Sequence, residues 1–402
     1  MMINIWKDCE LKPLPEVLSF IVDNRGKSVP TSEEGRILIA TNCVRNESLY
    51  PSYEKIRFLS EETYRTWFRA HPLPGDILFV CKGTPGRVCL VPDPIDFCIA
   101  QDMVVLRVNP NIVYNRYLLA VLRSHEIQTQ ITNTSVGDVI PHFKKSFFDQ
   151  ILIPVPSMNT QRIIGDYYFA FSEKIALNQK INRNLEEQAQ TIFTSFMQSH
   201  QTSLITVGDF VLTANTGADA IQKAPIVEYD TGIRCIRVGD MSNRRPVHEW
   251  GFTKVTPEIF AQYQLHKNDI VVTRTASLGL NRLIAEDLQA VYNNGLIRLT
   301  VNKNIVLPLL VYRQFQTEDY RNYIGRITGE TSVRPNMKIN YLLKYSFEIP
   351  NKPDQKKLTD ILEPLFLAQE SNVTENQRLS SLRDALLPRL MSGELDVLSL
   401  EI

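Results

Sequence analysis

The feature that most constrains this chain is an internal repeat with a period of about 194 residues. Residues 75–80 (GDILFV) are echoed by residues 268–273 (NDIVVT), and each segment reads as a turn that enters an apolar strand. The tripeptide TSV at 134–136 recurs at 331–333, and each copy is followed by a short apolar strand that ends on proline. A repeat of this length indicates two copies of one domain.

A helical pattern follows each copy of the domain. Over residues 161–197 the seam residues alternate spacings of three and four, as in a coiled-coil helix, and the pattern returns about 194 residues later. The seam contains Asn178 and Asn182 in the first helix and Asn372 and Asn376 in the second. For one helix alone, a surface asparagine explains the pattern equally well, but the coincidence in both copies favours a role. If the helices pack antiparallel, these asparagines meet at the helix interface, and their amide pairing would fix the register.

The predicted fold class is therefore α+β: two repeated globular domains with twisted, mainly antiparallel sheets, joined by two long α-helices that form an antiparallel coiled coil. Short helices are expected at residues 114–124 and 307–315. Two prolines, Pro364 and Pro388, predict a kink early in the second long helix and a bend or end before Met391. The predicted boundaries are 1–155 for the first globular domain, 156–198 for the first helix, 199–350 for the second domain, 351–393 for the second helix and 394–402 for a tail.

Several kinds of chemistry are missing from the 402 residues. The six cysteines form no C-x-x-C pair, the six histidines show no metal-ligand spacing, and no G-x-G-x-x-G loop occurs. The segment Gly26-Lys27-Ser28 resembles the end of a Walker A motif, but the required earlier glycine is Ile21. No Pro-Pro dipeptide occurs, which excludes the N-P-P-Y type of motif that holds a flipped base in amino-methyltransferases. These absences predict a chain without catalysis and without a metal site.

The first residues lack a basic stretch followed by an apolar core, and nowhere do 18 apolar residues run together. We therefore expect a cytoplasmic chain with no membrane partner. Two equivalent domains on an antiparallel helix pair could hold two reading heads a fixed distance apart on a long ligand. Double-stranded DNA is the natural ligand with a fixed repeat, one turn being about 34 Å. Because the two domains diverge in sequence, the target would be split and asymmetric.

The same features resemble the specificity (S) subunit of a type I restriction-modification system. The resemblance rests on five segments, whose order, spacing and duplication together are specific: residues 386–395 (LLPRLMSGEL), the proline-then-glutamine runs 154–162 and 350–356, residues 23–30 (DNRGKSVP), and the strand at 75–78 with its following Gly83 and Gly86. The resemblance covers essentially the whole chain.

What this resemblance implies is a non-catalytic subunit with two target recognition domains. Each domain would read one part of a bipartite, asymmetric duplex DNA sequence in the major groove, and the coiled coil would set the gap. Two modification (methyltransferase) subunits would dock against the helices, and restriction subunits would join them. The chain itself would hold no cofactor, since S-adenosylmethionine, ATP and Mg²⁺ would belong to the partner subunits.

Charge indicates where such a chain could contact DNA. Lys and Arg total 44 against 44 Asp and Glu, so affinity for phosphates needs either local segregation of charge or help from partner subunits. Residues 1–155 hold 17 basic and 17 acidic groups, whereas residues 199–350 hold 17 and 14. Any one of these cations could equally serve solubility alone, but arginine is favoured for guanine readout because its planar fork bonds two acceptors. The candidate DNA contacts near expected loops are Arg25, Lys27, Lys82, Arg87, Lys144, Lys145, Arg244, Arg245, Arg274, Arg282, Arg334 and Lys338.

Two other functions remain open from the residues alone. The chain could be a DNA-modifying enzyme, a nuclease or fused methyltransferase, whose motifs are unrecognised. It could also be a coiled-coil scaffold that binds only proteins. Turnover by the pure chain would favour the first alternative, and a complex without sequence preference would favour the second.

Overall fold

The computed structural model describes residues 4–24, 26, 28–99, 101–135, 141–330 and 336–395. The chain divides into two compact units: unit 1 comprises Met1–Asn178 and Glu375–Ile402, and unit 2 comprises Gln179–Thr374. Each unit contains one globular head and a part of each long helix. We call the globular parts head 1 (up to residue 157) and head 2 (residues 200–351).

Unit 1 is built mainly from short antiparallel strands. Its strands are β1 (Glu10–Pro13), β2 (Leu18–Val22), β3 (Arg36–Ile39), β4 (Arg57–Leu59), β5 (Ile77–Val80), β6 (Val88–Leu90), β7 (Phe97–Ile99), β8 (Met103–Val108) and β9 (Leu152–Val155). Its helices are α1 (Glu61–Thr66), α2 (Asn115–Arg123), α3 (His125–Thr134) and the first part of α4 (Met158–Ser199). The sheets have the orders β2-β8-β5-β6, β4-β3-β7 and β1-β9, with β3 and β7 parallel.

Unit 2 repeats this plan with one additional strand. Its strands are β10 (Thr202–Thr206), β11 (Val211–Thr216), β12 (Ile226–Val227), β13 (Arg234–Ile236), β14 (Gly251–Thr253), β15 (Ile270–Thr273), β16 (Asn281–Leu283), β17 (Ala290–Tyr292), β18 (Leu296–Val301) and β19 (Ser346–Pro350). Its helices are α5 (Val207–Phe210), α6 (Val238–Ser242), α7 (Pro257–Tyr263), α8 (Pro308–Gln314), α9 (Glu318–Glu330), α10 (Ile339–Leu343) and the first part of α11 (Lys352–Ser392). The sheets are β11-β18-β15-β16, β12-β14-β13-β17 and β10-β19.

Strand register shows that the two heads are copies of one domain. Ile77 in β5 lies opposite Leu106 in β8, and Ile270 in β15 lies opposite Leu299 in β18, so both pairs are related by the same shift along the chain. The parallel pair β3/β7 likewise recurs as β13/β17. The α+β class and the duplication predicted from the sequence are confirmed.

The repeated turn before β5 and β15 has a physical explanation. Gly75 and Asn268 both have positive φ, +80° and +74°, a backbone conformation that glycine and asparagine tolerate best. The following aspartate is buried in each copy and accepts a backbone hydrogen bond. Leu73 N donates to Asp76 Oδ2 at 2.8 Å, and the equivalent bond in unit 2 reaches Asp269 at 3.0 Å. The Gly-Asp and Asn-Asp pairs therefore form the turn from which the next apolar strand enters the core.

In each unit the core of the head continues into the two long helices. In unit 1 the core combines head residues such as Tyr117 with Ile164 and Tyr168 of α4 and Leu387 and Leu390 of α11. The core of unit 2 combines head residues with another set of helix residues: Ala189 and Phe193 of α4, and Leu358, Leu362 and Phe366 of α11. The apolar seams of α4 and α11 thus have two partners, the other helix and the head.

Helix α11 continues through Pro364 and Pro388 and ends at Ser392, so the second proline does not end it before Met391. Gly393 follows with φ +74°, a common way to end a helix. Among the described helices, none is both long enough and apolar enough to cross a membrane. Within the same part of the chain, no three His, Cys, Asp or Glu side chains are placed to hold a metal ion.

Candidate nucleic-acid interface and helix contacts

Not every candidate contact can be located. Arg25, Lys27 and Arg334 lie outside the described residues, and for Lys145 only the backbone is described, as the first residue of a short 3-10 turn. The other eight cations fall into three groups, one in head 1 and two in head 2.

The head 1 group forms where the loop after β5 meets the segment before β9. Phe143 is fully buried, and its backbone N donates to Cys81 O at 2.7 Å. Next to this bond, Lys82 forms a β-bridge with His142, and Lys144 follows His142 by two residues. Both lysine side chains are exposed, and Lys82 Nζ lies 3.9 Å from Asp102 Oδ1. The two lysines therefore share one rim of the head.

Arg87 lies at the far end of the same loop. The loop closes as a hairpin, because Gly86 N donates to Val80 O at 3.0 Å, and Arg87 directly precedes β6. The Arg87 side chain is half-exposed. Loop 81–87 thus places one cation before and one after its turn.

The first group in head 2 repeats this arrangement with a different side chain. Met337 N donates to Arg274 O at 2.7 Å, and Thr275 forms a bridge with Asn336, as Lys82 does with His142. The Arg274 guanidinium is used internally. It donates to Met337 O at 3.3 Å, to Asn336 Oδ1 at 2.9 Å and to Asn294 O at 3.2 Å. Arg274 therefore holds the loops together, whereas the neighbouring Lys338 is exposed.

Ile221, which a search for cations passes over, belongs to the same surface. Asn294 Nδ2 donates to Asp219 Oδ2 at 3.3 Å, so the turn that carries Ile221 is joined to the Arg274 network. Asp219 Oδ1 accepts the backbone N–H groups of Ile221 at 2.9 Å and Gln222 at 2.8 Å, and these bonds lower the pKa of Asp219. The Ile221 side chain is nevertheless 84% exposed.

The sequence does contain a signal for this turn. The Ile221 turn follows β11, and the equivalent segment of head 1, after β2, contains Arg25 and Lys27. The sequences that follow β2 and β11 therefore differ, with Arg25 and Lys27 in the first and Asp219, Ile221 and Lys223 in the second. Aspartate is a turn signal because its side chain accepts the backbone N–H two residues later, as Asp219 does from Ile221.

The second group in head 2 consists of Arg244, Arg245 and Arg282. Arg282 Nη1 donates to Arg245 O at 2.9 Å, and its guanidinium lies 5.2 Å from the centre of the Trp250 ring. Arg245 Nη1 lies 3.4 Å from the buried carboxylate of Asp240. Arg244 is exposed, with φ +50°.

Arg282 also acts on α11. Burial raises the pKa of Glu370 in α11, and the positive charge of Arg282 opposes that shift. The structure thus gives Arg282 contacts inside unit 2 with a backbone carbonyl and an indole ring, and its charge acts on the Glu370 carboxyl group. Of the three arginines, Arg244 is the one that its contacts leave free to reach a ligand.

The seam asparagines form amide pairs in both units. In unit 1, Asn178 Nδ2 donates to Asn376 Oδ1 at 2.9 Å and to Glu375 Oε2 at 2.6 Å, and Asn178 is 1% exposed. In unit 2, Asn372 Nδ2 donates to Asn182 Oδ1 at 2.8 Å. Within each unit, low residue numbers of α4 meet high numbers of α11, so the helix parts run antiparallel.

Unit 2 adds a buried charge to its pair of helices. Arg313 of α8 is fully buried, and its Nη1 lies 2.7 Å from Glu186 Oε2 on α4. Gln369 of α11 donates to the same carboxylate at 3.1 Å and to Asn182 O at 3.0 Å. Head 2, α4 and α11 thus share one polar network within the unit.

Comparisons with known proteins agree with this architecture. The type I restriction modification DNA specificity domain matches twice, over residues 34–187 and 206–381. The HindI specificity subunit of Haemophilus influenzae is 22% identical, covering 80% of this chain and 86% of that protein. The MjaVIII specificity subunit of Methanocaldococcus jannaschii is also 22% identical, covering 81% and 80%.

Among solved structures, the S subunit of a type I restriction-modification system from M. genitalium has the same fold. It superposes with a TM-score of 0.59 at 16% identity, over 96% of each chain. The related proteins are specificity subunits, so the role of this chain is specificity and not catalysis. With two matched domains that cover most of its length, the chain belongs to the type I restriction modification DNA specificity domain family.

Proposed function

We propose that the chain reads a bipartite, asymmetric duplex DNA target, one half with each head, inside a type I restriction-modification complex. One observation carries the proposal: each head presents the same pair of backbone-linked loops, and the side chains on those loops differ between heads. The bonds from Phe143 N to Cys81 O and from Met337 N to Arg274 O build the platform in both copies. A shared platform with different side chains is what two half-sites of different sequence require.

Head 1 presents the exposed Lys82 and Lys144 on one rim and the half-exposed Arg87 at the far end of loop 81–87. Such side chains bind phosphates and the acceptor atoms of guanine. In head 2 the equivalent surface presents Lys338 and the exposed Ile221, which suits an apolar contact such as a thymine methyl group. We therefore propose that head 1 reads the more guanine-rich half of the target.

The zero net charge favours a chain that binds DNA weakly by itself and more tightly when it is assembled with partner subunits. We propose that two modification subunits bind the chain and that restriction subunits join them. These partners would supply S-adenosylmethionine, ATP and Mg²⁺, and the complex would work in the cytoplasm, where the DNA is.

The test is to reconstitute the chain with its modification subunits and to map the methylated positions across the host genome. The expected result is one split motif with a fixed gap. Replacing Lys82, Arg87 and Lys144 together with Gln should change recognition in one half of the motif and leave the other half intact. A continuous motif, or methylation without sequence preference, would overturn the proposal.

A further inference from the structure

A glutamine is buried at the start of each long helix, where the helix leaves its head. Gln161 is the fourth residue of α4 and is 1% exposed. Its Nε2 donates to Ile112 O at 3.0 Å and to Pro156 O at 3.0 Å. Its Oε1 accepts the backbone N–H of Tyr114 at 2.8 Å.

The same three bonds recur in unit 2. Gln355 is the fourth residue of α11 and is 3% exposed. Its Nε2 donates to Ile305 O at 3.1 Å and to Pro350 O at 3.1 Å, and its Oε1 accepts Leu307 N–H at 3.2 Å. The heads have diverged in sequence, yet this arrangement is kept bond for bond.

Each glutamine connects three backbone segments. In unit 1, Pro156 belongs to the chain that leaves β9, Ile112 and Tyr114 form the entry to α2, and Gln161 itself lies in the first turn of α4. A buried backbone donor or acceptor without a partner is destabilising, and each glutamine side chain gives a partner to three such groups. Glutamate has no N–H donors, and asparagine is one methylene shorter.

Close packing at the same junction allows little adjustment. A Cβ atom on Gly165 of α4 would lie 2.6 Å from Tyr117 N, so the close approach of α4 to α2 leaves no room for a side chain there. Asp166 of α4 accepts from the Tyr114 hydroxyl at 2.8 Å and pairs with Arg116 at 2.7 Å. The direction in which α4 leaves head 1 is therefore fixed by specific bonds and not by apolar contact alone.

We propose that Gln161 and Gln355 are positioning residues that fix the angle between each head and its long helix, and thereby set the spacer length of the split DNA target. This inference rests on the proposed function. It concerns residues that touch no DNA. Loosening either junction should leave the bases read by each head unchanged and broaden the range of gaps between them.

The experiment uses the full chain assembled with its modification subunits. Methylation rates are measured on duplexes that carry both half-sites with spacers varied one base pair at a time. The variants are Gln161→Asn, Gln355→Asn and the double variant, each of which keeps an amide but shortens its reach. The control is Val105→Ala, which removes a buried side chain from a core cluster of head 1 that includes no residue of α4.

We expect each Gln→Asn variant to lower the rate ratio between the best spacer and its neighbours by about threefold or more, and the double variant to lower it further. The Val105→Ala control should reduce the stability of the chain and change the methylation rates on all spacers by the same factor. Variants that fold and keep the wild-type spacer ratio would overturn the inference.

A second measurement needs no variant. Hydrogen exchange of the Tyr114 and Leu307 amides in the intact chain should be as slow as in the core strands, and fast exchange would mean that the glutamine bonds do not hold. If the wild-type complex shows no split target, the proposed function fails. If it shows one and the variants keep its spacer, only the positioning role fails.

Discussion

Ile221 is held away from head 2 by a turn whose geometry is fixed by one carboxylate. Asp219 accepts two backbone N–H groups and also joins Asn294, which connects the turn to Arg274. The Ile221 side chain itself is 84% exposed. The turn therefore holds an exposed apolar side chain at the surface that we propose faces DNA.

The corresponding prediction concerns thymine. If Ile221 packs on a thymine methyl group, replacing that thymine with deoxyuridine should weaken binding about fourfold, the effect of one buried methyl group. The Ile221→Ala variant should bind the thymine target more weakly and should no longer distinguish thymine from deoxyuridine. Dissociation constants of the assembled complex on duplexes substituted at each thymine in turn would measure both effects. Equal sensitivity of wild type and variant at every position would count against the contact.

At the residue scale, the sequence predicts which cations lie in loops, but it does not predict whether their side chains are exposed or bound to neighbouring loops. Loop position predicts Lys82 and Lys144 as DNA contacts, and the structure brings them to one rim. The same criterion predicts Arg274, but its Nε, Nη1 and Nη2 atoms donate to neighbouring loops. The difference arises because Asn294 and Asn336 are far from Arg274 in sequence, and a one-dimensional pattern does not contain their proximity.

Among the elements, α8 contributes a buried charge to the helix pair of unit 2. Arg313 is fully buried, and its charge is balanced by Glu186, whose side chain is 37% exposed. Removing one partner of a buried ion pair leaves the other charge without compensation, which costs more than the pair itself contributes.

We therefore expect Glu186→Gln to lower the free energy of unfolding by about 2 kcal/mol, a figure reduced because the carboxylate is partly exposed. The double variant Glu186→Gln with Arg313→Met should recover much of the loss, since it removes the buried charge too. Urea unfolding of the wild type, both single variants and the double variant completes the cycle. Losses that simply add would mean that the two residues do not interact.

A second prediction for the same elements concerns pH. Burial raises the pKa of Glu370, so the folded state binds this proton more tightly than the unfolded chain does. The ionised carboxylate therefore costs stability at neutral pH, and the cost disappears as pH falls toward the unfolded value of about 4.3. We expect Glu370→Gln to be more stable than the wild type at pH 7 to 8 and equally stable near pH 4. The matched control is the same substitution at an exposed position of α11, Glu363→Gln, measured over the same pH range.

The helix seams were largely predictable, and their polar network was not. Spacings of three and four place Asn178, Asn182, Asn372 and Asn376 on the seam, and the structure pairs their amides within each unit. The contribution of Arg313 could not be foreseen, because α8 lies in head 2 and its approach to α4 depends on tertiary packing. The sequence predicts a bend or an end of α11 at Pro388. The helix does not end there but continues to Ser392, and Leu387 and Leu390 beside the proline belong to the core of unit 1.

At the scale of the whole molecule, the internal repeat is the feature from which most of the fold could be predicted. Two copies that share strand register require the same sheet order, and both heads have it. Strand order itself was out of reach, because the parallel pairs β3/β7 and β13/β17 join strands separated by long stretches of chain. The added strand β12 likewise has no signal beyond two apolar residues.

The last prediction concerns the length of the helices. Three heptads inserted into α4 after Asn178, with three into α11 after Thr374, add about 31 Å of helix while keeping the seam in phase. That length is close to one turn of DNA, about 34 Å, so the added base pairs would return the second half-site to nearly the same face. The preferred spacer should lengthen by about nine base pairs, with both half-sites unchanged.

A single inserted heptad is the informative contrast. It adds about 10 Å, or three base pairs, which rotates the second half-site by about 100° around the duplex. We expect this variant to methylate poorly at every spacer, because a coiled coil in register cannot supply that rotation. Methylation on a spacer library measures both variants. An unaltered spacer in the three-heptad variant would show that something other than helix length fixes the gap.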